Sequence, residues 1–231
     1  ESASTCTPPI ELLSSGVRVA EHTESASTCT PPIELLSSGV RASARMIWQA
    51  ETSMFSVSYH RPPHLYLDDT WYMVTAHTLG HTPILVSEEH FEVWQNTFQE
   101  LTAQFSLTVA AWVVLPNHYH TLMHLPVGNH LGEFVQRFHG RTSRAFNQLD
   151  ERKGRKIWYT YWDQCIRDES TYWTRFNYIH YNPVKHGYAT GPSFWRYSSY
   201  LEYLNIRGQS WLDDCWLHYP VAEALTEEIE K

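Results

Sequence analysis

The sequence predicts an α+β protein: a ferredoxin-like sandwich in which one antiparallel sheet carries helices on one face, completed by a C-terminal extension. Two observations carry that prediction. Apolar runs of strand length alternate with segments whose apolar residues recur three and four apart. From Thr70 onward their order is β-α-β-β-α-β, with one more helix behind it. Composition sets the scale, because 231 residues, 42% of them hydrophobic, suffice for one substantial core.

Thr70–His77 is the first strand, built on the β-formers Trp71, Tyr72, Val74 and Thr75. Glu88–Phe105 follows as a helix, since Phe91, Trp94, Phe98, Leu101 and Phe105 line one face. Ser106–Leu115 is a strand whose run of Val, Ala and Trp predicts burial on both faces. Pro116-Asn117 makes a tight connection to the next strand, His118–Leu125. Leu131–Leu149 is a helix with a basic stripe, Ile157–Ile166 a fourth strand, and Ser170–Asn182 a further helix. Asp168-Glu169-Ser170 gives that helix an acidic, capping-type start. Pro183 is expected to stop it, because proline disfavours helical geometry in the residue before it. Gly191–Trp216 reads as an extension anchored by Phe194, Trp195, Tyr197, Tyr200 and Trp211.

The N-terminal region stands apart. Glu1–Arg18, ESASTCTPPIELLSSGVR, recurs unchanged as Glu24–Arg41, a 23-residue period. Two identical Ser/Thr/Pro-rich copies hold too few large apolar residues for a solenoid core. They read as a flexible tail: either translated from duplicated DNA upstream of natural starts at Met46 or Met54, or a partner-binding segment that folds on contact. The expected organisation is a tail over 1–45, a catalytic domain over 46–190 and the extension over 191–231. No apolar run reaches the length of a membrane span, and no signal peptide is recognisable. Cys6, Cys29, Cys165 and Cys215 match neither a disulfide framework nor a zinc spacing. These features predict a cytoplasmic protein.

The chemistry lies in two segments. In Pro116-Asn117-His118-Tyr119-His120 the two histidines project from the same face of a strand, roughly 7 Å apart. Imidazoles so held can chelate one divalent cation and leave positions open for substrate oxygens. The spacing alone is weak in a chain with 14 histidines, where half-buried imidazoles bonded to neighbours are the commoner case. The second segment is FNYIHYNPVKHG, residues 176–187, in which Tyr178 and Asn182 share one helix face. A tyrosine hydroxyl, an amide oxygen one turn on and a two-histidine chelate are the parts of a phosphodiester-cleaving site. The metal polarises the phosphate and the phenolate attacks it, giving a covalent phosphotyrosine. Taken alone, Tyr178 would count as core, as most of the 14 tyrosines and 10 tryptophans must.

With these segments in view, AAWVVLPNHYHTLMHLP, IWYTYWDQCIRDE and NYIHYNPVKHGY resemble the REP-associated tyrosine transposases. These are a branch of the single-tyrosine HUH transposases, where U is a hydrophobic residue. The resemblance spans about residues 55–215, in matching order and spacing. It implies that His118 and His120 are metal ligands with Tyr119 in the hydrophobic slot, that Tyr178 is the nucleophile, and that Asn182 is the third ligand. The implied cofactor is Mg²⁺ or Mn²⁺. The implied activity is cleavage and rejoining of single-stranded DNA beside a small hairpin, through a 5′-phosphotyrosine and a free 3′-OH. One stretch departs from the pattern. Many relatives read RFWEH where this chain has Thr160-Tyr161-Trp162-Asp163-Gln164, so an arginine and a histidine are missing from a strand expected near the site. That departure bears on DNA sequence preference.

A formal net charge of −8 argues against general nucleic-acid binding, but the distribution is uneven. No Lys or Arg occurs from Pro62 to Gln136; then come Arg137, Arg141, Arg144, Arg152, Lys153, Arg155 and Lys156. Arg137, Arg141 and Arg144 form one helical stripe, while Arg167, Arg175 and Lys185 flank the tyrosine helix. Together they are the expected DNA track, against the commoner reading of such stripes as a solvated face. The histidines predict that binding tightens below neutrality. Trp158 and Tyr161 could stack on unpaired bases, though core packing is the ordinary role.

Three functions fit the sequence to different degrees. The first is a nicking and joining enzyme acting on hairpin-flanking single-stranded DNA, either as a homodimer exchanging tyrosine helices or as a monomer. The second is a hairpin-binding protein of transposase descent that no longer cuts. The third, a water-using phosphoesterase, needs more carboxylate ligands than the two motifs offer.

Overall fold

Alternation of Trp71 and Met73 with Tyr72, Val74 and Ala76 gives strand β1 (Thr70–Thr78) two apolar faces, and the sheet is built around it. The computed structural model describes residues 66–221, so the duplicated tail and both candidate start methionines lie outside the described residues. After β1 come helix α1 (Glu88–Gln104), strands β2 (Thr108–Leu115) and β3 (His118–Leu125), helix α2 (His130–Leu149), strand β4 (Trp158–Ile166) and helix α3 (Glu169–Lys185). Short helices α4 (Tyr200–Arg207) and α5 (Gln209–His218) follow. The strand order is β2-β3-β1-β4 with every neighbour antiparallel, as a ferredoxin-like sandwich requires.

Each sheet face has its own core. Tyr72, Val74, Tyr119 and Met123 turn toward Phe91, Trp94 and Phe98 of α1 and Phe134, Phe138 and Phe146 of α2. Trp94 is fully buried there, its ring within 5.6 Å of those of Phe98, Trp112, Tyr119 and Phe138. Helices α1 and α2 therefore share one face, as expected. The other face, with Trp71, Met73, Val113 and Leu122, meets Trp173, Phe176 and Ile179 of α3 and Tyr203 and Trp211 beyond it. Strand β2 is buried at every position but its first, in line with its apolar run.

Helix α3 departs from the expected end at Pro183 and continues to Lys185. A proline near a helix end forfeits one backbone bond without blocking the turn that follows. The chain then closes with a left-handed residue, Gly187 at φ 71°. His186 N donates to Asn182 O (3.1 Å), Gly187 N to Val184 O (3.0 Å) and Tyr188 N to Pro183 O (2.8 Å), which satisfies the terminal carbonyls. At the other end Asp168 caps the helix as expected, accepting from Thr171 N at 2.8 Å.

The residues after α3 pack on the core, but not through Phe194, which is 76% exposed and anchors nothing. Its neighbours do that work. Trp195 Nε1 donates to Val114 O (3.1 Å), Val114 N donates to Tyr197 O (3.0 Å), and Ser198 bridges Val113, so the segment runs along the outer edge of β2. Asn177 Nδ2 donates to Cys215 O and Tyr219 O, tying α3 to α5. No helix among the described residues is long and apolar enough to cross a membrane.

Candidate functional site

Side-chain alternation along β3 sends Tyr119 into the α1/α2 core and sends His118 and His120 toward α3. On α3, Tyr178 and Asn182 stand one turn apart and face back to the sheet. The result is a cluster: His118 Nε2 lies 3.0 Å from Asn182 Oδ1, the two histidine rings are 5.1 Å apart, and the Tyr178 ring is edge-on to His120 at 5.2 Å. None of the four is more than 3% exposed. The helix carries on through Pro183, and that keeps Asn182 in helical register with Tyr178.

Surrounding groups orient the histidines. His120 Nδ1 is 2.7 Å from Thr75 Oγ1 and His118 Nδ1 is 2.8 Å from Asn117 Oδ1. The His118 ring also lies 5.3 Å from that of His77 and 4.8 Å from that of His186, and His77 in turn is 4.7 Å from His81. His81 and His186 are exposed, so this file of rings leads from solvent to the buried pair. Lys185 Nζ stands 5.3 Å from the centre of the Tyr178 ring.

Burial, reinforced by the neighbouring His186 and His77, pushes the His118 imidazole down to about 3. Burial also holds His120 well below the usual histidine range. Both rings are therefore neutral near neutrality and keep a lone pair. This overturns the expectation that acid would tighten binding through them, because desolvation opposes the charge that expectation needs.

The donor set suits a divalent cation. His120 Nε2 is buried without a hydrogen-bond partner. His118 Nε2 faces an amide oxygen, yet a neutral ring that gives its Nδ1 proton to Asn117 has none left to share. An unpartnered imidazole nitrogen beside a second one that faces a side-chain amide is a donor set that a divalent cation such as Mg²⁺ or Mn²⁺ accepts. Among the described residues no group of three or more His, Cys, Asp or Glu could hold a metal.

The family model described as transposase, IS200-like, matches residues 72–182, a span that contains both histidines, the tyrosine and Asn182. Residues 72–182 are thus similar to the IS200-like transposases. A REP-associated tyrosine transposase of Escherichia coli (strain K12) is 27% identical over 133 residues, covering 57% of this chain and 76% of that protein. A Haemophilus influenzae protein assigned to the same group is 29% identical over 123 residues, covering 48% of this chain and 69% of that protein. The solved structure of a REP-associated tyrosine transposase bound to a REP hairpin shares the fold, with a TM-score of 0.54 at 23% identity over 65% of this chain and 87% of that one.

In this fold the basic residues do not form one track to the site. Helix α2 packs on the sheet face opposite the histidines, as the 2.9 Å contact from Tyr119 Oη to His139 Nε2 shows. Its stripe is largely paired: Arg137 with Glu133, and Arg141 with Glu100 at 3.1 Å. Arg155 pairs with Asp150, while Arg144, Arg152, Lys153 and Lys156 are exposed. Sequence adjacency to the histidine strand misled because a β-α connection crosses to the other face. Arg167 is exposed just past β4, whereas Arg175 is buried and its Nε donates to Gln164 Oε1 at 2.7 Å. Of the ten basic residues, Lys185 is the one seen against the tyrosine ring.

Trp158 belongs to the core, stacked on His139 and donating to Thr142 Oγ1, and Tyr161 packs half-buried against the same cluster. Sequence reasoning missed Thr75, Asn117, His77 and His186. For Asn117 the signal was its place beside His118; for Thr75 only the sheet register could have revealed it.

Proposed function

We propose that this protein is a transposase that cleaves single-stranded DNA beside a hairpin and transfers the strand through a 5′-phosphotyrosine on Tyr178. The observation that supports this most is the contact between His118 Nε2 and Asn182 Oδ1, with His120 and the Tyr178 ring packed alongside. His118, His120 and Asn182 would hold Mg²⁺ or Mn²⁺, which when bound neutralises and polarises the scissile phosphate. The Tyr178 hydroxyl gives up its proton and its oxygen bonds to phosphorus while the bond from phosphorus to the 3′-oxygen breaks, the proton ending on that departing oxygen. That oxygen leaves as the free 3′-OH. In the joining step an incoming 3′-OH attacks the phosphotyrosine and expels Tyr178. The Lys185 ammonium, 5.3 Å from the ring, favours the phenolate electrostatically. A hairpin substrate is supported by the related transposase solved with a REP hairpin and by the REP-associated relatives.

The test is incubation of the protein with labelled hairpin-flanking single strands and Mn²⁺, followed by denaturing electrophoresis. Wild type should give a denaturation-resistant adduct and a cut strand; Tyr178→Phe should give neither while retaining DNA binding. An adduct with Tyr178→Phe would remove Tyr178 as nucleophile. A hairpin-binding protein that does not cut is the second reading, favoured by the complete burial of Tyr178 and the placement of the basic stripe on the far face. Hairpin binding by wild type without cut strands in Mn²⁺ would select it.

A further inference from the structure

We infer that Asn117 is a positioning residue that fixes the tautomer of His118 and presents its Nε2 as a bare ligand atom. This deepens the proposed metal site and rests on that reading. The two ends of the Asn117 amide have separate partners. Asn117 Nδ2 donates to His81 O at 3.2 Å, and Asn117 Oδ1 faces His118 Nδ1 at 2.8 Å.

A backbone carbonyl can only accept, so the end facing His81 must be the NH₂ group. The other end is then the oxygen and needs the proton on His118 Nδ1, whereas no second contact fixes the Asn182 amide, whose Nδ2 has no partner. His118 is thereby held as the Nδ1–H tautomer, with the Nε2 lone pair pointing at the side-chain amide of Asn182, 3.0 Å away. Metal-bound imidazoles are commonly oriented in this way through the ring nitrogen that the metal does not use.

The anchor is itself fixed. His81 adopts a left-handed conformation at φ 54°, which is unusual for a residue with a Cβ and turns its carbonyl toward the β2–β3 connection. The loop after β1 grips that connection from several sides: Thr78 N donates to Asn117 O (2.8 Å), and Ile84 N and Leu85 N donate to Pro116 O (2.8 and 3.0 Å). The loop thus reaches the proposed metal site through one amide side chain.

Histidine-¹⁵N NMR of the metal-free full chain reads the tautomer, and electron paramagnetic resonance titration with Mn²⁺ reads the affinity. Wild-type His118 should be the Nδ1–H form. Asn117→Ala, which removes both contacts, should show an increased Nε2–H fraction and about 10- to 100-fold weaker Mn²⁺ binding. Asn117→Asp keeps the acceptor and should keep the Nδ1–H form even if the Ala variant folds poorly. A wild-type Nε2–H tautomer, or an Ala variant with unchanged tautomer and affinity, would overturn the inference. If wild type takes up no Mn²⁺, the metal reading fails on its own, while the tautomers of wild type and variants still decide the role of Asn117.

Discussion

Thr75 Oγ1 sits 2.7 Å from His120 Nδ1, and the sheet register sets the two residues directly opposite each other on β1 and β3. Thr75→Val preserves shape and removes the hydroxyl, leaving a buried ring nitrogen without its partner. The expected cost is about 1–3 kcal/mol of stability. Mn²⁺ affinity should fall by about 10- to 100-fold, because the ring loses the contact that sets its orientation. Thr75→Ser should restore most of both. Urea denaturation and Mn²⁺ titration together check this, and a Val variant that binds Mn²⁺ like wild type would remove Thr75 from the site.

Asn182 should show the opposite balance between stability and function. It is fully buried and its Nδ2 has no hydrogen-bond partner, so the side chain contributes little to folding where it stands. Alanine is also the stronger helix former. Asn182→Ala should stay within about 1 kcal/mol of wild type in denaturant, the small cavity offsetting the relief of the unpaired amide. Mn²⁺ affinity should nonetheless drop about tenfold or more as a ligand oxygen is lost. A large destabilisation with unchanged Mn²⁺ binding would mark Asn182 as structural instead.

How the core was legible in the sequence follows from periodicity. The Phe91–Phe105 repeat placed α1, and the apolar run before Pro116 placed β2 between two cores, because side-chain period and burial are local properties. The site's two halves were legible for the same reason: His118 and His120 on one strand face, Tyr178 and Asn182 on one helix face. What local pattern does not encode is which face of the sheet a helix takes. The arginine stripe of α2 follows the histidine strand in the chain and lies behind it in space. Nor does it encode cross-strand register, which is why Thr75 was invisible until β1 and β3 were paired.

Acid should weaken the fold, beginning well above the carboxylate range. Burial pushes His118, His139 and His180 each down to about 3, far below the ordinary histidine value. Between about 6.5 and that depressed value the unfolded chain binds protons that the folded chain refuses, so stability rises with pH across the window. It is fully present above about pH 6.5 and is lost as pH falls through the window, with a slope of up to about 1.4 kcal/mol per pH unit for each histidine. Thermal denaturation from pH 7.5 to pH 4.5 should show a falling midpoint from near pH 6.5. A flat profile to pH 4.5 would mean that these rings are solvated in the native state.

Tyr119 separates the two faces of β3 most cleanly. It lies between the two histidines in sequence, but its ring packs edge-on to Trp94, Phe138 and Trp158 at 5.3–5.6 Å and its hydroxyl meets His139 Nε2 at 2.9 Å. Tyr119→Phe keeps every ring contact and removes only the hydroxyl, leaving His139 Nε2 buried and unpaired. Stability should fall by about 1–2 kcal/mol. Mn²⁺ affinity and adduct formation should stay within about twofold of wild type, since changes on one sheet face that share no partners with the other act independently. A variant that lost Mn²⁺ binding at unchanged stability would mean that position 119 acts across the strand. The alternation of β3 gives its side chain no route to do so.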